Sequence, residues 1–349
     1  MNRAMRRKRR IVIIAIVAAA LLLLTLSALD TRLRVVSYTV LDARIETPVK
    51  IVLITDLHSC KYGEEQKTLL DAIDAQTPDL VLLCGDIFDD DLPNDNTLTV
   101  LKHVSERYRC FYVSGNHEYW YEDPEALFDA VRDLGIPILH GTCETVSVGQ
   151  TTLNLCGIAD PACAEIGLDE NATEQRKAAR EAVTAEQLQS AKDAAEDGYY
   201  TILLAHRPEL IETYAQYGFA LVVSGHAHGG QVRIPGFVNG LFSPGEGWFP
   251  KYAGGDYTIG DTTMIVSRGL SRESTAMPRI WNCPELVVID LIGTNEKTGE
   301  AFASPVCVLA LADQGDHLVF QRFRTIRTPY APTEDVSFSS PVSRKPHFS

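Results

Sequence analysis

None of the eight cysteines falls into a Cys-x-x-Cys pair. A tetrathiolate zinc site of the usual spacing is therefore excluded. No segment repeats at a fixed period, so a solenoid or propeller is not indicated. Basic residues are outnumbered: 32 Lys and Arg face 46 Asp and Glu, a formal net charge of −14. Six of those bases sit in the first ten residues, which leaves 26 against 46, or −20, for positions 11–349. Such a surface repels a polyanion, so nucleic acid is not the expected partner. Residues 11–29, IVIIAIVAAALLLLTLSAL, lack charge altogether. Nineteen helical residues rise roughly 28 Å, close to the hydrocarbon thickness of a bilayer. No clear cleavage site follows, and the expectation is an uncleaved signal-anchor with residues 1–10 in the cytoplasm. The chain would then be single-pass in the cell membrane, with its remaining mass outside the cytoplasm. There disulfides can form, although spacing alone does not assign their pairing.

What is present is a series of short apolar runs: 51–55, 80–85, 111–115, 153–158, 201–206, 221–225, 263–267 and 285–291. Their length and β-branched content read as strands. Residues 33–41 alternate apolar and polar, as at a sheet edge. Helical patterns lie between the runs. Asp123-Pro124 supplies an N-cap and a first-turn proline, Thr184 and Gln187 fit a capping box, and Pro208 opens a third helix. Strands alternating with helices indicate an α/β architecture. The expected division is 1–10 basic segment, 11–29 anchor, 30–292 folded domain and 293–349 extension. That extension holds a linker, one possible hairpin at 306–324 and a disordered tail. Residues 160–198 read either as a helical cap over a cleft or as a solvated helix pair.

The ends of the apolar runs carry the chemistry. They present Asp56-x-His58, Gly85-Asp86, Gly115-Asn116-His117-Glu118, His206 and Gly225-His226-Ala227-His228. In open α/β sheets, ligands bind at the carboxyl ends of strands. Asp56, His58, Asp86, Asn116, His206, His226 and His228 are oxygen and nitrogen donors of the kind that hold hard or borderline divalent ions. Seven donors are too many for one tetrahedral ion and suit two ions sharing a carboxylate. Asp86 is best placed to bridge, because Gly85 permits a tight turn before it. Two such ions can clamp a phosphoryl group and generate a hydroxide nucleophile at neutral pH. His226 and His228, two apart in an extended segment, would point to the same side and serve one ion each.

This set of motifs resembles the calcineurin-like metallophosphoesterase superfamily over about residues 50–292. Finer features, GHAHGGQVRIPG, FSPGEGWFPKYAGG, VSRGLS and PELVVIDL, are similar to the membrane-anchored bacterial branch related to UDP-2,3-diacylglucosamine hydrolases. The resemblance implies a two-sheet β-sandwich flanked by helices. It implies Asp56, His58 and His228 on one metal, Asn116, His206 and His226 on the other, and Asp86 on both. It also implies His117 as the group that protonates the leaving oxygen or steadies developing charge. Asp89 is expected to orient His117, and Arg268 to hold a phosphate bidentately. Trp248, Phe249 and Tyr252 are candidates for an apolar groove or a membrane contact. Cys60 and Cys84, although close in sequence to donors, are not expected to ligate.

The expected activity is hydrolysis of a phosphomonoester, phosphodiester or pyrophosphate in a lipid-linked, nucleotide-sugar or other envelope substrate. It would depend on two divalent ions drawn from Mn, Zn, Fe, Ni or Mg. The rival readings are a nuclease of the same superfamily and a silent surface-displayed binding protein.

Overall fold

The computed structural model describes residues 3–272, 277–294, 313–314, 317–318 and 322–327. Helix α1 (Arg3–Ala28) comes first. Its apolar stretch, Arg6–Ala28, is long enough to cross a bilayer. Along its uncharged run the Ile, Val and Leu side chains are exposed, and the last turn meets the domain, where Ala28 O accepts from Trp281 N–H.

The remainder is built on two six-stranded sheets. In the first, the strands are β1 (Arg34–Asp42), β2 (Val49–Ile54), β3 (Leu80–Cys84), β4 (Arg109–Val113), β13 (Glu285–Gly293) and β16 (Arg322–Arg327), in the order β16-β1-β13-β2-β3-β4. In the second they are β5 (Thr142–Val148), β6 (Thr151–Gly157), β7 (Tyr200–Leu204), β8 (Leu221–Ser224), β11 (Gly255–Ile259) and β12 (Thr262–Val266), in the order β11-β12-β8-β7-β6-β5. Two short hairpins complete the set: β9 (Phe242–Ser243) with β10 (Gly247–Trp248), and β14 (Asp313–Gln314) with β15 (His317–Leu318).

Period-2 alternation assigns each strand's side chains to two layers. Ile51, Leu53, Leu82 and Val287 face Leu155, Ile202, Val223 and Ile265 across the sheet interface. Val52, Ile54, Val81 and Leu83 point the other way, onto α2 (Lys67–Asp74), α3 (Asp95–Arg107) and α5 (Pro124–Asp133). Leu203, Val222 and Met264 meet α6 (Thr173–Ala194) and α7 (Ile211–Tyr214). The result is helices on both outer faces of a two-sheet sandwich, as expected. Strands buried on both faces read as continuous apolar runs, which is why they stood out in the sequence. Each fully buried Leu, Ile or Val contributes about 1.5–3 kcal/mol.

Three local expectations are corrected. The first strand is not an edge: β1 pairs in parallel with β13 on one side and β16 on the other, so residues beyond 293 add a strand to the sheet. Thr184 does not cap a helix. It lies inside the continuous α6, its hydroxyl donating to Arg180 O at 2.8 Å, while Gln187 accepts from Ala159 N. Pro208 opens a 3-10 turn, Pro208–Leu210, before the short α7. The Asp123 cap is present, accepting from Ala126 N at 3.3 Å. The hairpin expected within 306–324 is seen as β14 and β15, and the proposed tail at 337–349 lies outside the described residues.

Candidate metal centre

Parallel pairing of β2, β3 and β4 in one sheet, and of β6, β7, β8 and β12 in the other, aligns their carboxyl ends on one rim. The loops that leave those ends bring the seven expected donors together. Asp56, His58, Asp86 and His228 form one group with ligand atoms within 4.8 Å of one another; Asp86, His206 and His226 form a second. Asp86 belongs to both. Its Oδ2 lies 3.0 Å from His206 Nε2 and 3.6 Å from His58 Nε2. Asp56 Oδ1 lies 3.5 Å from His228 Nε2 and 3.9 Å from His206 Nε2. Asn116, at the start of α4 (Asn116–Trp120), is buried beside Asp86, whose Oδ1 accepts the next backbone N–H, that of His117, at 2.9 Å.

The backbone achieves this by adopting left-handed conformations that non-glycine residues avoid. Asp56, His58, Asp86, His226 and His228 all have positive φ, between 46° and 64°. Such strain persists only where the surroundings over-determine it, and it clusters at functional sites. His226 and His228 are therefore not presented by an extended segment. Each turns out of a tight loop, with Ala227 near the right-handed helical region between them. Gly85 (φ 82°) is needed in this arrangement: a Cβ there would strike the His206 ring. At Gly225, a Cβ would strike the Asp56 carboxylate.

Three of the four donor imidazoles are aimed by their other nitrogen, an arrangement typical of metal-ligating histidine. Nδ1–H of His206 donates to Cys84 O at 3.0 Å. Nδ1–H of His58 donates to Asp89 Oδ2 at 3.0 Å, and His228 Nδ1 bonds Ser271 Oγ at 2.7 Å. This leaves five buried atoms without a hydrogen-bond partner: Asp56 Oδ2, His58 Nε2, Asn116 Oδ1, His206 Nε2 and His226 Nε2. Buried polar atoms are costly when unpaired. Their convergence on the two carboxylates fits a pair of cations. Against the burial that would lower them, the facing carboxylates raise the pKa of His58 and His206, so these two rings must release a proton to ligate a cation. Burial alone would raise the pKa of Asp86, but the facing His206, His117 and His58 hold it well below the ordinary carboxylate range. Burial would lower His206, yet Asp86 and Asp56 push it up to about 10. Burial, with Arg207 and His206 beside one ring and His58 and Arg279 beside the other, keeps His226 and His228 neutral, the form that ligates.

Two expected roles are corrected. Asp89 is spent on His58 and lies 4.0 Å from His117, whereas Asp90 Oδ1 sits 2.5 Å from His117 Nδ1. The turn after Asp86 carries Asp89 under the cluster, where its Oδ1 accepts from Asp91 N and Leu92 N, and so leaves Asp90 facing His117. Arg268 does not join the cluster through any polar partner. Its guanidinium pairs with Glu285 at 3.4 Å and lines a separate cavity of about 280 Å3 with Val36, Tyr38 and Trp281. Gly269 is the residue that passes against Asp56, so its neighbour projects to the opposite side. The buried arginine of this corner is Arg279, which donates to Ser271 O at 2.7 Å and to Ser271 Oγ at 3.3 Å. Cys60 and Cys84 belong to no donor group. Trp248 and Phe249 are exposed, and Tyr252 is buried.

Glu118 had no assigned role. Its carboxylate accepts from the backbone N–H of Asp86, Ile87, Phe88 and Gly115, and from Tyr112 O–H, at 2.7–3.2 Å. It thus clamps the Asp86 turn to the Asn116 turn. Its place in the Gly-Asn-His-Glu run was visible, but four backbone partners cannot be read from spacing. Ser271 closes the VSRGLS run and Asn282, which bonds His228 O at 2.7 Å, lies beyond it; neither was assigned a role, because contact with the His228 loop cannot be read from spacing.

Comparison with known proteins agrees with this geometry. The family model described as calcineurin-like phosphoesterase matches residues 49–230, more than half of the chain. An uncharacterized metallophosphoesterase of Campylobacter jejuni is 28% identical over 261 residues, covering 71% of this chain and 60% of its own length. The phosphodiesterase YaeI of Escherichia coli is 27% identical, covering 70% of this chain and 83% of its own. A Danio rerio protein named as a transmembrane protein with metallophosphoesterase domain is 24% identical, covering 62% of this chain and 47% of its own. The chain thus spans about three fifths of the Campylobacter relative and about half of the Danio one. With the matched segment running through every strand end that carries an aspartate or histidine donor, this chain belongs to the calcineurin-like phosphoesterase family.

Proposed function

We propose that the chain is a two-metal phosphoesterase, anchored by α1 and acting on the outer side of the membrane. The observation that carries this reading is the shared position of Asp86 between two donor groups, at a site where five buried ligand atoms lack a hydrogen-bond partner. Asp56, His58, Asp86 and His228 would hold one divalent ion, and Asp86, Asn116, His206 and His226 the other. When bound, such ions neutralise phosphoryl charge and lower the pKa of coordinated water. That would also let an acidic chain accept an anionic substrate.

His117 packs against His58, ring centroids 4.3 Å apart, and differs from the proposed donors in its exposure. Its side chain is 20% exposed, while those of His58 and His206 are at 1% or below. Its Nδ1–H donates to Asp90, which leaves Nε2 as the atom that holds a proton and passes it to the departing oxygen. Asp90 fixes the ring's orientation and tautomer. Glu118 keeps the Asp86 turn and the His117 turn in register. The bond cut is an ester or anhydride of phosphate, and a substrate in the cell envelope follows from the anchor and the outward placement. Two features support that placement. Six bases in the first turns of α1 precede its uncharged run, and a disulfide joins Cys143 to Cys156 on adjacent β5 and β6, a bond that persists in oxidising compartments.

The test is hydrolysis of bis(p-nitrophenyl) phosphate by the full chain in detergent, loaded in turn with Mn, Zn, Fe, Ni and Mg. Activity should appear with at least one metal and vanish with a chelator. Asp86→Ala and His226→Ala should abolish it while the far-UV circular dichroism stays native. Full activity in either variant refutes the assignment.

A further inference from the structure

A cavity of about 630 Å3 opens beside Tyr119 and Trp120, a few residues on from His117 in the same turn, within the roughly 300–1,000 Å3 typical of small-molecule sites. One wall is Trp120, whose ring lies 4.7 Å from that of His117 and is about half exposed. The opposite wall comes from the segment after β6 and from the first turns of α6: Glu165, Ile166, Thr173, Arg176 and Arg180. The second half of α6 packs on the second sheet through Leu188 and Ala191, so this wall is a fixed part of the fold.

We propose that this cavity receives the leaving group of the substrate, and that the leaving group is a sugar unit. The inference rests on the phosphoesterase reading above. In an in-line displacement, the departing oxygen leaves on the side of the proton donor. With His117 in that role, whatever is attached to the departing oxygen extends past His117 and over Trp120 into the cavity. The lining then decides the chemical class. Its charges cancel, Arg176 and Arg180 against Glu165 and Glu170, and both guanidinium groups are already engaged by Glu165. A second phosphate would find no unspent positive charge there. An acyl chain would find charged and polar groups between the apolar ones. A sugar ring carries both faces that the walls offer. Its C–H face can lie on the exposed indole. Its hydroxyls can donate to the Glu165 and Glu170 carboxylates and accept from the guanidinium N–H groups that Glu165 leaves unused, since each guanidinium has five donors. Trp120 and Glu165 are thereby specificity-determining residues.

The experiment compares methyl phosphodiesters of glucose (through its 6-oxygen), glycerol and ethanol, together with the corresponding monoesters, on the metal-loaded full chain. Glucose and glycerol share the β-oxygen substituents that ethanol lacks, so recognition is read from the glucose-to-glycerol ratio and from the change of the glucose-to-ethyl ratio in the variants. The glucose ester should exceed the ethyl ester about tenfold or more in kcat/KM, the scale of a few hydrogen bonds made to one substrate and lost by the other. The glycerol ester, which has no ring face, should fall between them. Trp120→Ala and Glu165→Gln should shrink the glucose-to-ethyl ratio, chiefly through KM. If bis(p-nitrophenyl) phosphate is hydrolysed while the wild-type ratio stays near one, the cavity assignment is overturned and the phosphoesterase reading stands. A second readout is independent of turnover: glucose 6-phosphate should change tryptophan fluorescence in the wild type and not in Trp120→Phe. If no metal supports hydrolysis, that titration still decides the cavity. A response confined to Trp120 supports it, and its absence overturns it.

Discussion

Glu118 shows how much one side chain carries. Without its carboxylate, four backbone N–H groups around the Asp86 and Gly115 turns lose their acceptor in a buried place. Unpaired buried donors cost about 1–3 kcal/mol each. Glu118→Ala should therefore lower unfolding free energy by at least about 3 kcal/mol in urea titrations, and hydrolysis should fall with it. Asp90 predicts a different signature. It touches His117 and none of the proposed metal donors, so Asp90→Asn should cut kcat about 10–100-fold while metal content stays at two per chain. An unchanged kcat would remove Asp90 from the machinery and return the orienting role to Asp89. His140 sets an acid limit. Burial, with a smaller push from Arg132, lowers its pKa to about 4, against about 6.5 in an unfolded chain. Between those values the unfolded chain binds the extra proton. The stability from the neutral ring is thus full above pH 6.5 and is lost progressively as pH falls toward 4. His140→Phe, at a ring already packed edge-on against Phe128, should flatten the urea midpoint over that window.

At the scale of elements, the site is a set of strand-end turns, and their strain is the means of assembly. Gly85→Ala should be costly twice over. A left-handed turn costs a residue with a Cβ about 1–2 kcal/mol, and the added carbon would occupy the place of the His206 ring. Metal analysis should then show loss of the ion assigned to His206 and His226, with the other retained. Two ions bound at wild-type affinity would contradict the shared-site geometry. Much at this level was legible in the sequence. The eight apolar runs are the buried strands, because a strand covered on both faces must be apolar throughout. What escaped were β5 and β11, the two edge strands of the second sheet, each with polar residues where the inner strands are apolar, and the true surroundings of β1. A strand's neighbours are chosen by residues hundreds of positions away, and β16 is such a neighbour.

At the scale of the molecule, α1 and the phosphoesterase-family domain are joined by more than a peptide bond. Trp281 N–H donates to Ala28 O at 2.7 Å, and Cys283 Sγ–H donates to Asp30 O at 3.2 Å. The end of α1 is thus tied to the segment that holds Asn282 and, through it, the His228 loop. Outward orientation predicts that alkylation of the denatured protein, purified from membranes without reductant, leaves the Cys143–Cys156 pair unlabelled and that reduction exposes two more thiols. A protease added to intact cells should also digest the domain. Full labelling without reductant, together with protection in intact cells, would place the domain on the inner side.

The amino-acid sequence by itself determined which atoms could meet a metal and roughly where the strands lie. Donor identity is a covalent property, and alternation is a local one. Only the tertiary structure decided which donors share Asp86, that Asp89 serves His58 while Asp90 serves His117, and that Arg268 turns aside. Those pairings depend on left-handed backbone angles and on the order of strands in two sheets. Both are set by packing between segments far apart in the chain.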